Sequence, residues 1–208
     1  MRAALILAGG YGSRFGDEDK AVARIDGEPM VGRVLSRVAP LVDDVVLNVR
    51  DDQRARMDAA LGGERIDSYA VDPTPDRGPL AGIATGLARV SADRTLVVAC
   101  DMPFVDPRLV RRLFDLTAGR DGAVPTVRTV DGRVLQPLQA VYRSASLERV
   151  ARRALESGVA SPVEALRDLA YVTVDLPADA DDPGGPLFNV NTPSDRRAAE
   201  RVLATRSN

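Results

Sequence analysis

A chain of 208 residues that is 45% hydrophobic can bury one substantial core, and a net charge of -2 gives no bulk electrostatic case for a nucleic-acid partner or an acidic solvating tail. The absence of any histidine excludes Ser-His-Asp hydrolysis, Cys-His proteolysis and His-ligated metal catalysis, so chemistry must rest on carboxylates, Lys, Arg, backbone N–H groups and an oxygen-loving metal. The single cysteine, Cys100, cannot form an internal disulfide, and with neither a signal peptide nor an apolar run of membrane length the expected compartment is the cytoplasm, with no membrane partner.

The first apolar run, Ala3–Leu7, predicts a strand that Gly9-Gly10 ends at once. From there the chain reads Leu7-Ala8-Gly9-Gly10-Tyr11-Gly12-Ser13-Arg14-Phe15-Gly16-Asp17-Glu18-Asp19-Lys20. With glycine at 9, 10 and 12 the backbone can approach a ligand and turn its N–H groups toward phosphate oxygens, while Arg14 offers a planar fork and Lys20 a compact charge. The alternative reading is a purely structural turn. Two familiar loops are excluded: the dinucleotide fingerprint requires its third glycine where Phe15 stands, and a P-loop ending at Gly16 would begin at Tyr11 and carry Asp17 in place of its lysine.

Helical spacing follows over Met30–Leu41, then a strand at Val45–Val49, a helix at Arg54–Leu61, a strand at Tyr69–Val71, a helix at Leu80–Val90, a strand at Thr95–Ala99 and a helix at Pro107–Leu116. Strict alternation predicts an α/β fold with a Rossmann-like, open, mostly parallel sheet and helices on both faces. Ligands in such sheets gather beyond the carboxyl ends of strands, which here are Gly9-Gly10, Asn48, Asp72 and Asp101. Gly78, Gly82 and Gly86 recur every fourth residue; Gly78-Pro79-Leu80 is assigned to the ligand and Gly86 to packing. Asp101, at the tip of a buried strand before Pro103, suits a Mg²⁺ ligand; the competing reading is a turn or cap carboxylate, although Asp106 already serves the next helix. Cys100 beside it reads as a packing residue.

Strands are predicted at Ala123–Val127, Leu138–Tyr142 and Val172–Val174, and helices at Ser144–Glu156, Pro162–Leu169 and Pro193–Thr205. Pro107, Pro162 and Pro193 occupy first-turn positions behind the caps Asp106, Ser161 and Thr192. The Asp-, Pro- and Gly-rich run Pro177–Pro186 reads as a mobile surface loop, and the arginines at 108, 111, 112, 149, 152 and 153 as solvated helical faces. Asn189 and Asn191, just before a helix start, read first as capping or turn residues. A single domain over 1–208 accounts for the length.

Five segments in order resemble the molybdenum cofactor guanylyltransferase (MobA) family: LAGGYGSRFGDEDKA from Leu7, Gly78-Pro79-Leu80-Ala81-Gly82, Cys100-Asp101-Met102-Pro103-Phe104, Gln136-Pro137-Leu138-Gln139-Ala140-Val141-Tyr142 and Asn189-Val190-Asn191-Thr192-Pro193. The resemblance implies a nucleotide-diphospho-sugar transferase-like fold that moves GMP from GTP to a molybdopterin-type acceptor with Mg²⁺. Its N-terminal half, to about residue 105, would bind nucleotide and its C-terminal half the acceptor, with transient protein partners for cofactor delivery. By residue it implies Leu7, Ala8, Gly9, Gly10, Gly12 and Lys20 at the nucleotide, Asn48 and Asp72 at base and ribose, Gly78, Pro79 and Leu80 near the substrate, Arg14 and Lys20 at the phosphates, Asp101 on Mg²⁺ and Asn191 beside the metal or phosphates. Phe15 replaces a common Met, and the acidic run Asp17-Glu18-Asp19 is unusual; those side chains are expected to face solvent so as not to repel nucleotide. Related activities stay open: CTP in place of GTP, a cobinamide-phosphate or sugar-1-phosphate acceptor, or a regulatory module that binds nucleotide without turnover.

Overall fold

The computed structural model describes residues 1–10, 19–74, 77–130 and 132–206. In chain order the elements are β1 (Arg2–Leu7), the short strands β2 (Arg24–Ile25) and β3 (Glu28–Pro29), α1 (Met30–Val38), β4 (Asp44–Val49), α2 (Arg54–Ala60), β5 (Ser68–Val71), α3 (Pro79–Leu87), β6 (Arg94–Ala99), α4 (Pro107–Leu116), β7 (Gly122–Thr129), β8 (Gly132–Leu135), β9 (Gln139–Arg143), α5 (Ser144–Glu156), α6 (Pro162–Ala165), β10 (Tyr171–Leu176) and α7 (Pro193–Arg206). The main sheet runs β10-β7-β9-β6-β1-β4-β5, with β8 joined to β7. Its β6-β1-β4-β5 portion is parallel, as is β10 on β7; β9 is antiparallel to both its neighbours.

The expected open, largely parallel sheet is therefore what forms, and the reason is in the strands. β1, β4 and β6 each carry an apolar run, at 3–7, 45–47 and 96–99, because both their faces are covered. Ala4 and Ile6 pack with Val31 and Leu35 of α1 and with Leu113 and Phe114 of α4, whereas Leu5 faces Leu80 and Ile83 of α3 and Leu147 and Val150 of α5. A third, small cluster joins Ile25, Met30, Phe104, Phe188, Val190 and Ala199, tying the β2-β3 hairpin and α7 together. Among the described residues no helix is long and apolar enough to cross a membrane.

The proline-led helix starts form as expected. Asp106 accepts from Arg108 N at 2.8 Å, Ser161 from Glu164 N at 3.4 Å, and Thr192 Oγ1 from Asp195 N at 3.2 Å. Several expected helices are shorter: α3 ends at Leu87 rather than Val90, α2 ends at Ala60, and two others tighten at their ends. α1 stops at Val38 and tightens into a 3-10 turn at Ala39–Leu41, where Pro40 supplies no amide hydrogen, and α6 gives way to a 3-10 turn at Leu166–Asp168. The run Pro177–Pro186 is folded into consecutive turns anchored by buried Ala180, whose carbonyl accepts from Leu187 N at 2.8 Å.

Gly86 packs as expected: a Cβ there would lie 2.2 Å from Cδ1 and 2.6 Å from Cδ2 of Leu5, which is fully buried. Gly86→Ala should cost about 1–3 kcal/mol of stability through overpacking, despite alanine's better helix propensity. Urea unfolding will show this as a lower midpoint at unchanged slope; an unaltered midpoint would mean that α3 does not pack this tightly on β1.

Candidate functional site

Register brings the predicted strand exits into one row. Leu7 pairs with Asn48 on one side and with Ala99 on the other, Ala8 N donates to Asn48 O at 2.9 Å, and Cys100 N donates to Leu7 O at 3.0 Å. Asn48, itself 2% exposed, turns its Nδ2 toward Ala70 O at 3.1 Å and Asp72 Oδ1 at 2.8 Å, so Asn48 and Asp72 form one polar wall. That wall borders a cavity of about 260 Å³, which Gly9, Gly10, Gly78, Pro79 and Leu138 also line. The glycines leave the room it needs. A Cβ on Gly9 would lie 2.6 Å from Asp72 Oδ2, and one on Gly82 would lie 2.5 Å from Asn48 Oδ1.

Two nucleotide-side expectations need correction. Leu80 buries its side chain in the second core rather than facing the cavity; on α3 it is Pro79, Ala81 and Gly82 that line it, because successive helix residues point about 100° apart and Leu80 falls on the core-facing side. Ala8 is 2% exposed, and its N–H is already spent on the β4 ladder, which leaves Gly9 and Gly10 as the described members of the loop with backbone at the cavity. Gly12 and Arg14 lie outside the described residues, as do Asp17 and Glu18.

Two residues past Ala99, which lines the cavity, three distant segments meet. Lys20 Nζ donates to Asp101 Oδ2 at 2.6 Å and to Asn191 Oδ1 at 2.7 Å, with the lysine and aspartate side chains 12% and 17% exposed. Val190 N donates to Asp101 O at 2.9 Å, which holds the Asn-rich segment against the end of β6. The two asparagines then divide their roles. Asn189 Nδ2 bonds Leu187 O at 2.9 Å, a local turn contact. Thr192 and Asp195 cap α7 reciprocally, with Asp195 Oδ2 accepting from Thr192 N at 2.8 Å, so the Asn191 side chain is released toward Lys20.

The second oxygen of Asp101, Oδ1, is shielded from solvent and has no hydrogen-bond partner among the described residues. Such an orphan carboxylate oxygen suits a hard cation. Among the described residues no group of three His, Cys, Asp or Glu could cage a metal. The donor set thus fits an ion held through one carboxylate and completed by phosphate oxygens and water, the usual habit of Mg²⁺. Cys100 carries no chemistry: burial, reinforced by the charge of Asp101, pushes its thiol up to about 12, so the nucleophilic thiolate is scarce at neutral pH.

Sequence reasoning missed the parts that hold the loop stems. Gln53, 0% exposed, donates from Nε2 to Ala8 O at 3.2 Å and to Asp19 Oδ2 at 2.8 Å, while its Oε1 accepts from Arg50 N at 3.0 Å. Arg50, 4% exposed, reaches Gly10 O at 2.9 Å and lies 3.5 Å from Asp19 Oδ2. The turn between β4 and α2 therefore grips both ends of the glycine-rich segment. Asp19 was expected to face solvent; instead its side chain is 5% exposed and points inward, because buried Gln53 and Arg50 satisfy it. Its charge is neutralised within the protein, and Lys20 next to it is delivered to Asp101.

With this geometry in hand, comparison with known proteins is specific. The family model for the MobA-like NTP transferase domain matches residues 4–170. A probable molybdenum cofactor guanylyltransferase of Natronomonas pharaonis is 40% identical over 203 residues, spanning 97% of this chain and 98% of that protein. The molybdenum cofactor guanylyltransferase of Pseudomonas fluorescens is 33% identical over 190 residues, 91% of this chain and 88% of its own. The crystal structure of molybdopterin-guanine dinucleotide biosynthesis protein A from Archaeoglobus fulgidus superposes with a TM-score of 0.75 at 26% identity, covering 99% of this chain and 100% of that one.

Proposed function

The chain belongs to the MobA-like NTP transferase family and is a nucleotidyltransferase, and from that premise we propose that it transfers GMP from GTP to the terminal phosphate of molybdenum-bearing molybdopterin. The observation that carries the reading is the meeting of Lys20, Asp101 and Asn191 two residues past Ala99, which lines the cavity together with Gly9, Gly10, Asn48 and Asp72. In the proposed step an oxygen of the acceptor phosphate attacks the α-phosphorus of GTP. The new O–P bond forms as the bond from that phosphorus to the β-phosphate oxygen breaks, and pyrophosphate leaves with the bonding electrons. The acceptor oxygen is already anionic at neutral pH, so no general base is needed, in keeping with a chain that lacks histidine.

Positioning and charge are then the protein's whole contribution. Gly9 and Gly10 present backbone to the phosphates without side chains in the way. Lys20 supplies a full positive charge, aimed by Asp101 and Asn191. Asn48 and Asp72 offer acceptors to the donors of the base or the ribose hydroxyls, with Gly78 and Pro79 opposite. Mg²⁺ held by Asp101, with Asn191 beside it, would neutralise charge on the phosphates. We assign the acceptor to the C-terminal half and the working compartment to the cytoplasm, where a delivery protein would collect the product.

The test is pyrophosphate release by the purified protein with Mg²⁺ and molybdopterin-bearing acceptor, comparing GTP, CTP and ATP. Selective turnover of GTP is the expected result. Preference for CTP would replace the guanylyl reading with a cytidylyl one, and tight GTP binding without turnover would make the protein a regulatory module.

A further inference from the structure

The opposite end of the sheet from the glycine-rich segment holds a hollow of about 530 Å³ where β1 and β6 begin and β9 ends. β1 is six residues long, which puts this hollow about 20 Å from the loop at roughly 3.3 Å per residue. Register places Arg2 beside Arg94 on neighbouring parallel strands and Arg94 beside Arg143 on neighbouring antiparallel ones. Each continues the file of the first core, below Ala4, Leu96 and Val141, so the three guanidiniums leave the same face of the sheet. With strands about 4.8 Å apart they form a row spanning about 10 Å.

Like charges directly opposite on adjacent strands are destabilising, and this row has little to offset it. Arg2 is served, 3.3 Å from Asp115 and stacked 4.8 Å above the Phe114 ring. Asp93 lies 3.7 Å from the N-terminal ammonium. Asp121 feels the field of Arg143, but its oxygens accept from Ser146 Oγ at 2.6 Å and Ala170 N at 3.0 Å. Among the described residues no hydrogen bond or ion pair holds the guanidiniums of Arg94, Arg143 or Arg120, which borders the same hollow.

We propose that this hollow is a second anion site, which takes a condensed phosphate laid along Arg2, Arg94 and Arg143. Planar forks side by side each engage a phosphate through two charge-assisted bonds, so linked phosphates match the row better than a single one. The size is that of a small-molecule site rather than a polymer track. The same chemistry is offered by free pyrophosphate or polyphosphate and by a nucleotide tail.

The probe is tripolyphosphate, with binding measured calorimetrically in a Lys20→Ala background that weakens the loop site. One site should remain there, with orthophosphate at least about 10-fold weaker. Adding Arg94→Gln and Arg143→Gln should weaken it by about 10-fold or more through loss of charge-assisted bonds. The Arg94→Gln/Arg143→Gln variant in an otherwise natural chain should keep basal transferase activity and melt no lower than wild type in anion-free buffer, since it relieves repulsion. ATP competing for the site would identify a nucleotide tail as the ligand, and failure to compete would identify free condensed phosphate. Unchanged tripolyphosphate affinity after both substitutions would overturn the proposal, as would orthophosphate binding equally well.

Discussion

Asp101→Ala should lower nucleotidyl transfer by roughly 10²–10³, the usual cost of removing one electrostatic contact aimed at transferring charge. The side chain is 17% exposed at the end of β6, and its carbonyl, which accepts from Val190 N at 2.9 Å, survives the substitution, so the fold should be kept. What is lost is the acceptor that aims Lys20 and the unpartnered oxygen that suits a cation. Asp101→Asn separates the two: its amide oxygen can still accept from Lys20, but without the carboxylate charge it should recover little activity. Steady-state rates on both variants check this, and near-full activity in Asp101→Ala would remove the residue from the chemistry.

Gln53→Ala should be nearly as damaging although Gln53 need never touch substrate. Its amide joins Ala8 at one end of the glycine-rich segment to Asp19 at the other, and Lys20 follows Asp19 directly. Displacing catalytic groups by about 1 Å can cost about 10²-fold, and losing a buried hydrogen-bond partner about 1–3 kcal/mol of stability. We expect kcat/KM to fall by about 10²-fold, with a lower urea midpoint. Arg56→Ala supplies the control. Arg56 is 57% exposed and 3.8 Å from Asp19, so its loss should leave the rate near that of the unaltered protein. If Gln53→Ala lost stability but kept its rate, the grip on the loop would be structural only.

The fold was legible where apolar runs and punctuation agree. Continuous buried strands alternating with helices, and prolines set behind Asp106, Ser161 and Thr192, predicted α4 and α5 to the residue and the other helix starts within one. Elements without an apolar signature were missed. β8 is mostly exposed, and each strand of the β2-β3 hairpin is two residues long; its one available signal was Asp26-Gly27, whose positive φ values of 52° and 78° make the tight turn.

The site was legible in part for a related reason. Strand exits can be read from sequence, and they did bring Gly9, Asn48 and Asp72 to one cavity, with Asp101 two residues past Ala99 on the neighbouring strand. The role of Asn191 depended on whether Thr192 and Asp195 would satisfy the helix start, which is settled by side-chain geometry across four residues. Asp19 and Gln53 were misread or missed because polarity suggests solvent, while long-range pairing between the β4-α2 turn and the loop stem buries both. Leu80 followed its helix into the core.

On the proposed function, the end of β6 and the glycine-rich segment form one phosphate-handling centre with Asp101 as its metal carboxylate. Manganese, a paramagnetic stand-in for Mg²⁺, tests it directly when titrated in the presence of GTP and followed by water-proton relaxation. A nucleotide-dependent site that is lost in Asp101→Ala and preserved in Arg56→Ala is the expected result. Manganese binding of undiminished affinity in Asp101→Ala would contradict it.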